Sequence, residues 1–175
     1  MLSDFNLIVS TSRGNERNTC SELWYLLGEV GDRASKIETT TIIGLVLAKT
    51  NLNPIEAVHK LRALLKERPW EFRYTLKVTP IEIVVEANTD RIKGASLDLA
   101  KKIAPKEKFR LTVEKRHTHL SGRALIEEVA KGIDQTVDLE NPDRIILIEI
   151  VAELAGLALL KPDDVLSVER EKRKL

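Results

Sequence analysis

Residues 101–123 read KKIAPKEKFRLTVEKRHTHLSGR and carry eight Lys or Arg against two acids, Glu107 and Glu114, in a chain whose formal net charge is +1. The middle of this stretch alternates. Phe109, Leu111 and Val113 fall on one face of a predicted strand, while Lys108, Arg110, Thr112 and Glu114 fall on the other, because successive side chains of a strand point to opposite sides. The predicted strand is Phe109–Val113, and its end leads through Lys115, Arg116, His117 and His119 into a helix for which Ser121 is a suitable N-cap. A helix start exposes unpaired N–H groups and the positive end of the macrodipole, so cations gathered there extend a ready anion site. Phosphate is the anion that suits it, and nucleic acid the carrier of phosphate that suits a long basic stretch.

Working outward, the charge is unevenly spread. Residues 1–100 hold thirteen bases and thirteen acids, 101–123 eight and two, 124–164 three and ten, and 165–175 four and two. Local potential rather than total charge attracts a polyanion, so a basic surface facing nucleic acid with an acidic surface elsewhere is expected. The alternative is a solvated charged face. At 175 residues, with 43% hydrophobic and 31% charged positions, the composition is that of a soluble globular protein with one ordinary core or two small ones. No run approaches the roughly 18 apolar residues of a membrane helix. The N-terminus lacks a basic start and a long apolar run, and Cys20 has no internal partner for a disulfide, so a cytoplasmic protein is expected.

The first half alternates elements in the order β-α-β-β-α-β, a ferredoxin-like arrangement. Phe5–Ser10 predicts a strand and Arg17–Val30 a helix with Leu23, Trp24, Leu27 and Val30 on its apolar face. Lys36–Thr41 and Gly44–Thr50 predict an antiparallel hairpin. Asn53 caps a helix that has Pro54 at its first position, with Ile55, Val58, Leu61 and Leu65 as its buried stripe. Arg73–Val78 and Ile81–Glu86 are extended segments interrupted by Pro80, which marks a bend or an edge.

In the second half, Thr89–Lys93 predicts a short helix stopped by Gly94, and Ser96 starts another that ends before Pro105. After the strand and elbow comes a helix over Gly122–Ile133, a short strand over Val137–Leu139, a turn at Asn141-Pro142-Asp143, and apolar strands over Ile145–Ile150 and Leu154–Leu160. Val165–Val168 predicts a short edge, and Glu169–Leu175 a frayed charged tail.

The segments FRLTVEKRHTHLSG, ALIEEVAKGID, VDLENPDRIILIEI and AGLALLKPDDVL together resemble the THUMP domain, an RNA-binding module of tRNA-modifying systems. PWEFRYTLKVTPIE, Pro69–Glu82, resembles the junction of small THUMP proteins that assist acetylation of a cytidine in tRNA. The resemblance implies an α+β chain: a ferredoxin-like N-terminal domain over 1–86, an α/β THUMP domain over 87–169 and a charged tail over 170–175. It further implies a noncatalytic adaptor that binds tRNA and presents it to a separate cytidine acetyltransferase, with no membrane association. On that resemblance, a nucleotide-binding or methyl-donor domain is not expected within the 175 residues.

Lys108, Arg110, Lys115, Arg116, His117, His119 and Arg123 match the basic strand and elbow of that family and are the expected RNA contacts. Arg116 has a planar donor fork suited to phosphate, and Lys115 and Arg123 add salt-dependent attraction. Arg144 after the turn and Arg13 beside Gly14 are added as weaker RNA contacts, a structural turn being the alternative for each. His117 and His119 lack the further ligands a metal site needs, so no metal is expected. Trp24, Trp70, Phe72 and Tyr74 are assigned to core packing.

No catalytic residue is expected. Ser121-Gly122 lacks a nucleophile elbow, Cys20 lacks a base, and no phosphate-binding loop is present. No cofactor is expected either. Two rival readings remain: a small-molecule-binding or dimerising regulatory domain, and an RNA-binding subunit of another tRNA-modifying enzyme, since the fold does not specify chemistry.

Overall fold

The computed structural model describes all 175 residues. In chain order the elements are β1 (Leu7–Ser10), α1 (Glu16–Glu29), β2 (Lys36–Thr39), β3 (Leu45–Lys49), α2 (Pro54–Glu67), a single 3-10 turn at Pro69–Glu71, β4 (Lys77–Pro80) and β5 (Ile83–Glu86). There follow α3 (Thr89–Ala100), β6 (Phe109–Arg116), α4 (Gly122–Ala130), β7 (Arg144–Val151), β8 (Leu154–Leu160), β9 (Leu166–Ser167) and α5 (Val168–Lys172). The fold is α+β, and the chain divides into two units, one formed by 1–81 with 164–175 and the other by 82–163.

The first unit has an antiparallel sheet in the order β2-β3-β1-β4-β9. Its first four strands and two helices make the expected ferredoxin-like unit. Leu7 and Val9 of β1, Val46 and Ala48 of β3, and Val78 of β4 share a core with Leu23, Leu26 and Leu27 of α1 and Val58, Leu61 and Leu65 of α2. The period of two in the strands meets the period of 3.6 in the helices. At the start of α2 the Asn53 side chain accepts from the N–H groups of Ile55 and Glu56 at 3.0 and 3.1 Å. Ala57 and Leu64, rather than the half-buried Ile55, complete the buried face of this helix.

The second unit has a sheet in the order β5-β8-β7-β6, antiparallel except for the parallel pair β6–β7. A parallel neighbour requires a crossover, and α4 lies in that connection. One face of the sheet, with Ile146, Ile148 and Ile150 of β7 and Leu157 and Leu159 of β8, packs with Ile92 and Leu99 of α3 and Leu125 and Val129 of α4.

Several expectations change. The bounds 1–86, 87–169 and 170–175 give way to the two units above, because Ile83–Glu86 pairs with Leu154–Leu157 of the second sheet and Leu166–Ser167 pairs with β4 of the first. Pro80 closes β4 opposite Leu7, and residues 73–75 form no strand; their three N–H groups donate to the Glu22 carboxylate. Helix α3 is continuous through Gly94. The roughly 1 kcal/mol cost of a mid-helix glycine is outweighed by burial of Ile92, Ala95 and Leu99 and by the Asn88 cap, which accepts from Arg91 N–H at 2.9 Å.

Val137–Leu139 is one bridge, Phe109 to Val137, because the Asp138 carboxylate accepts from the N–H groups of Glu140 and Asn141 and turns the chain. Strand β6 extends to Arg116 rather than stopping at Val113. The tail forms α5, and its Glu171 is buried beside Arg62 at 3.5 Å while Lys172 Nζ donates to Phe72 O at 2.8 Å. His59 and Asp164 meet at 2.7 Å in the same unit. Phe72 is buried as expected, but Trp24 is 53% and Trp70 68% exposed, so neither is a core residue.

Candidate nucleic-acid interface

The candidate interface lies at the C-terminal end of β6. The ladder to β7 runs as far as Arg116 opposite Val151 and closes with Ala152 N–H donating to Arg116 O at 2.9 Å. His117 then takes a left-handed backbone conformation, φ 55°, which turns the chain away from the sheet. Beyond it the Thr118 hydroxyl accepts from Leu120 N–H at 3.3 Å, and Ser121 caps α4 by accepting from Ala124 N–H at 3.2 Å. Lys115 Nζ donates across the elbow to Leu120 O at 3.2 Å. At the first position of α4 a Cβ on Gly122 would lie 3.6 Å from a methyl of Val113, so the helix starts in contact with the strand.

This geometry gathers Lys115, Arg116, His117, His119 and Arg123 within nine residues of chain around a helix start. Lys115, His117, His119 and Arg123 are exposed. Arg123 contacts Glu127 at 3.3 Å on the following turn with its side chain 90% exposed, a contact too solvated to withdraw it from a ligand. Arg116 differs: its Nη1 donates to Glu149 of β7, which is buried. One end of the guanidinium is therefore anchored to the sheet.

The remaining expected residues lie elsewhere. Lys108, Arg110 and Arg144 sit at the opposite end of β6 and β7, among acidic residues. Lys108 Nζ is 3.9 Å from Asp138, and Arg144 is 3.8 Å from Glu107. Arg110 Nη1 donates to Leu139 O at 3.0 Å, and the Nε atoms of Arg110 and Arg144 are buried without a hydrogen-bond partner. Arg13 is exposed in the β1–α1 loop of the other unit. The residue that sequence reasoning missed is Glu149. A lone acid inside the apolar run Ile145–Ile150 was its signal.

No group of three His, Cys, Asp or Glu side chains is placed to hold a metal ion. No helix is long and apolar enough to cross a membrane.

Comparison with known proteins bears on the fold. The chain is similar in fold to PH1313 from Pyrococcus horikoshii Ot3, at 23% identity and TM-score 0.62 over 90% of this chain and 54% of that one. It is similar to a 4-thiouridine synthetase solved with RNA and bound ATP, at 14% identity and TM-score 0.59 over 94% of this chain and 42% of that one. It is also similar to TrmN from Thermus thermophilus, at 16% identity and TM-score 0.53 over 87% and 44%. The chain thus spans about half or less of the length of these solved structures. No curated protein sequence matches it. The family model for the THUMP domain matches residues 86–160, the segment that carries β6, the basic elbow and α4.

Proposed function

We propose that the chain is a noncatalytic tRNA-binding adaptor that presents tRNA to a separate cytidine acetyltransferase in the cytoplasm. The observation that carries this reading is the set of exposed side chains Lys115, His117, His119 and Arg123 at the β6–α4 elbow of the THUMP domain. A flexible ammonium group and a guanidinium around a helix start suit phosphate oxygens, and exposed imidazoles suit ribose or a stacked base. Backbone contacts of this kind read the shape of a folded RNA more than its base sequence.

The adaptor role is tested by acetylation of tRNA by the cytidine acetyltransferase, with and without this chain, followed by nucleoside mass spectrometry. Stimulation of acetylcytidine formation is expected. A second reading, an RNA-binding subunit of another tRNA-modifying enzyme, is favoured by the likeness in fold to proteins named for thiouridine synthesis and methylation. The same mass spectrometry separates the two, because a different modified nucleoside would then depend on this chain.

A further inference from the structure

The loop Asp134–Asp143 carries four carboxylates, Asp134, Asp138, Glu140 and Asp143, and no base. It also holds two large apolar side chains in water: Val137 is 50% and Leu139 67% exposed. Single exposed apolar residues are ordinary on a protein surface. Here the loop is pinned, so the exposure is not the accident of a loose segment. Phe109 N–H donates to Thr136 O at 3.0 Å, Asp138 N–H to Phe109 O at 2.9 Å, and Asp143 N–H to Lys108 O at 2.8 Å. Gln135 Nε2 donates to Ile103 O at 2.9 Å, and Lys108 N–H to the Asp143 carboxylate at 2.8 Å. The Asn141 N–H, followed by the Glu140 N–H and the charge of Lys108, holds the Asp138 carboxyl below its ordinary range. Beside the loop lies an open cleft of about 260 Å³ lined by Arg110, Glu140, Asn141, Pro142, Ile145 and Pro162.

This surface meets β6 at Phe109, whereas the basic elbow leaves β6 at Arg116. Seven steps of about 3.3 Å put the two ends roughly 23 Å apart. The loop's carboxylates and Glu107 outnumber the bases beside them, and those bases are engaged: Lys108 by Asp138 at 3.9 Å, Arg144 by Glu107 at 3.8 Å and Arg110 by Leu139 O at 3.0 Å. The remaining acidic excess repels a phosphate backbone, so RNA is better held at the elbow than here. A rigid loop that displays apolar anchors within an acidic rim, beside an open cleft, fits a protein surface of the opposite character.

We infer that loop 134–143 is the docking site for a protein partner whose surface offers an apolar pocket surrounded by basic residues. Under the adaptor reading, on which this inference rests, that partner is the modifying enzyme. One end of β6 then meets RNA and the other meets protein.

The test measures association of the purified chain with the purified cytidine acetyltransferase by interferometry. It compares wild type, Leu139→Ser and Glu140→Lys, both exposed positions whose replacement leaves the cores intact. Affinity for tRNA and sedimentation of the chain alone are measured in parallel. Both variants are expected to weaken the enzyme association at least tenfold and to leave tRNA affinity within twofold. Enzyme association unchanged by both variants would overturn the inference and leave the adaptor reading standing. Failure of the wild-type chain to associate would overturn both. Self-association of the wild-type chain that Leu139→Ser abolishes, or loss of tRNA affinity in Leu139→Ser, would assign the loop to a second copy or to RNA and overturn it as well.

Discussion

Arg116, the last residue of β6, donates its Nη1 to the Glu149 carboxylate of β7, whose side chain is 2% exposed while that of Arg116 is 27% exposed. The pair ties the final rung of the parallel ladder to the start of the basic elbow. Removing the cation leaves a buried carboxylate without one of its partners, and such losses cost about 1–3 kcal/mol. Arg116→Ala is therefore expected to lower unfolding stability by that amount in a urea titration. Arg123→Ala removes a guanidinium that is 90% exposed and should change stability by no more than about 0.5 kcal/mol. Equal effects of the two would contradict a structural role for the Arg116 anchor.

Two glycines should respond oppositely to alanine. Gly44 has φ +74°, and a Cβ there would lie 2.7 Å from Thr11 O, a backbone atom that cannot swing aside. Its N–H also donates to the Glu16 carboxylate at 2.9 Å. Gly44→Ala is expected to cost about 1–3 kcal/mol. Gly94 lies inside α3 with no heavy atom within 4 Å of an added Cβ, so Gly94→Ala should stabilise by about 0.5–1 kcal/mol. Thermal melts of both variants check the pair.

Acid should weaken the first unit in a way that Asp32 controls. Burial pushes its carboxyl up, but the Thr50 hydroxyl and the N–H groups of Asn51 and Ala34 outweigh burial and leave it below its ordinary value. A group depressed in the folded state contributes stability that is present above the unfolded value, about 4, and lost as pH falls through the lower folded value. Asp32→Asn should therefore be less stable than wild type near neutrality, and its stability should fall less steeply with pH below about 4. Urea titrations from pH 7 down to pH 3 measure both. A parallel pH dependence of the two proteins would exclude Asp32 as a source of acid sensitivity.

Local signals carried much of the fold into the sequence. Asn53-Pro54 with its apolar stripe marks α2, and the period-two alternation from Phe109 marks β6, because caps and periodicity act within one element. What could not be read depends on distant partners. Glu171 is buried by Arg62 more than a hundred positions away, so a charged tail became α5. Ile83–Glu86 looks like the last strand of the first sheet, yet it pairs with β8, a choice no local pattern encodes. Trp24 and Trp70 show the reverse failure: their type predicted burial, and the fold leaves both in solvent. At the interface, the elbow was legible as a charge excess on a capped helix. The separation of Lys108, Arg110 and Arg144 from it was not, since only the register of β6 and the course of the 134–143 loop place them among carboxylates.

Titration of folded tRNA against the wild-type chain and a Lys115→Ala/His119→Ala/Arg123→Ala variant, repeated over a range of salt concentrations, decides whether the elbow holds RNA. Arg116 is left in place so that its anchor to Glu149 is kept. Tight, salt-dependent binding by wild type is expected. The variant is expected to lose at least tenfold in affinity, about 1.4 kcal/mol, with a salt slope shallower by roughly one to two phosphate contacts. Absence of binding by wild type, or a variant that binds with the same affinity and the same slope, would show that the elbow does not hold RNA.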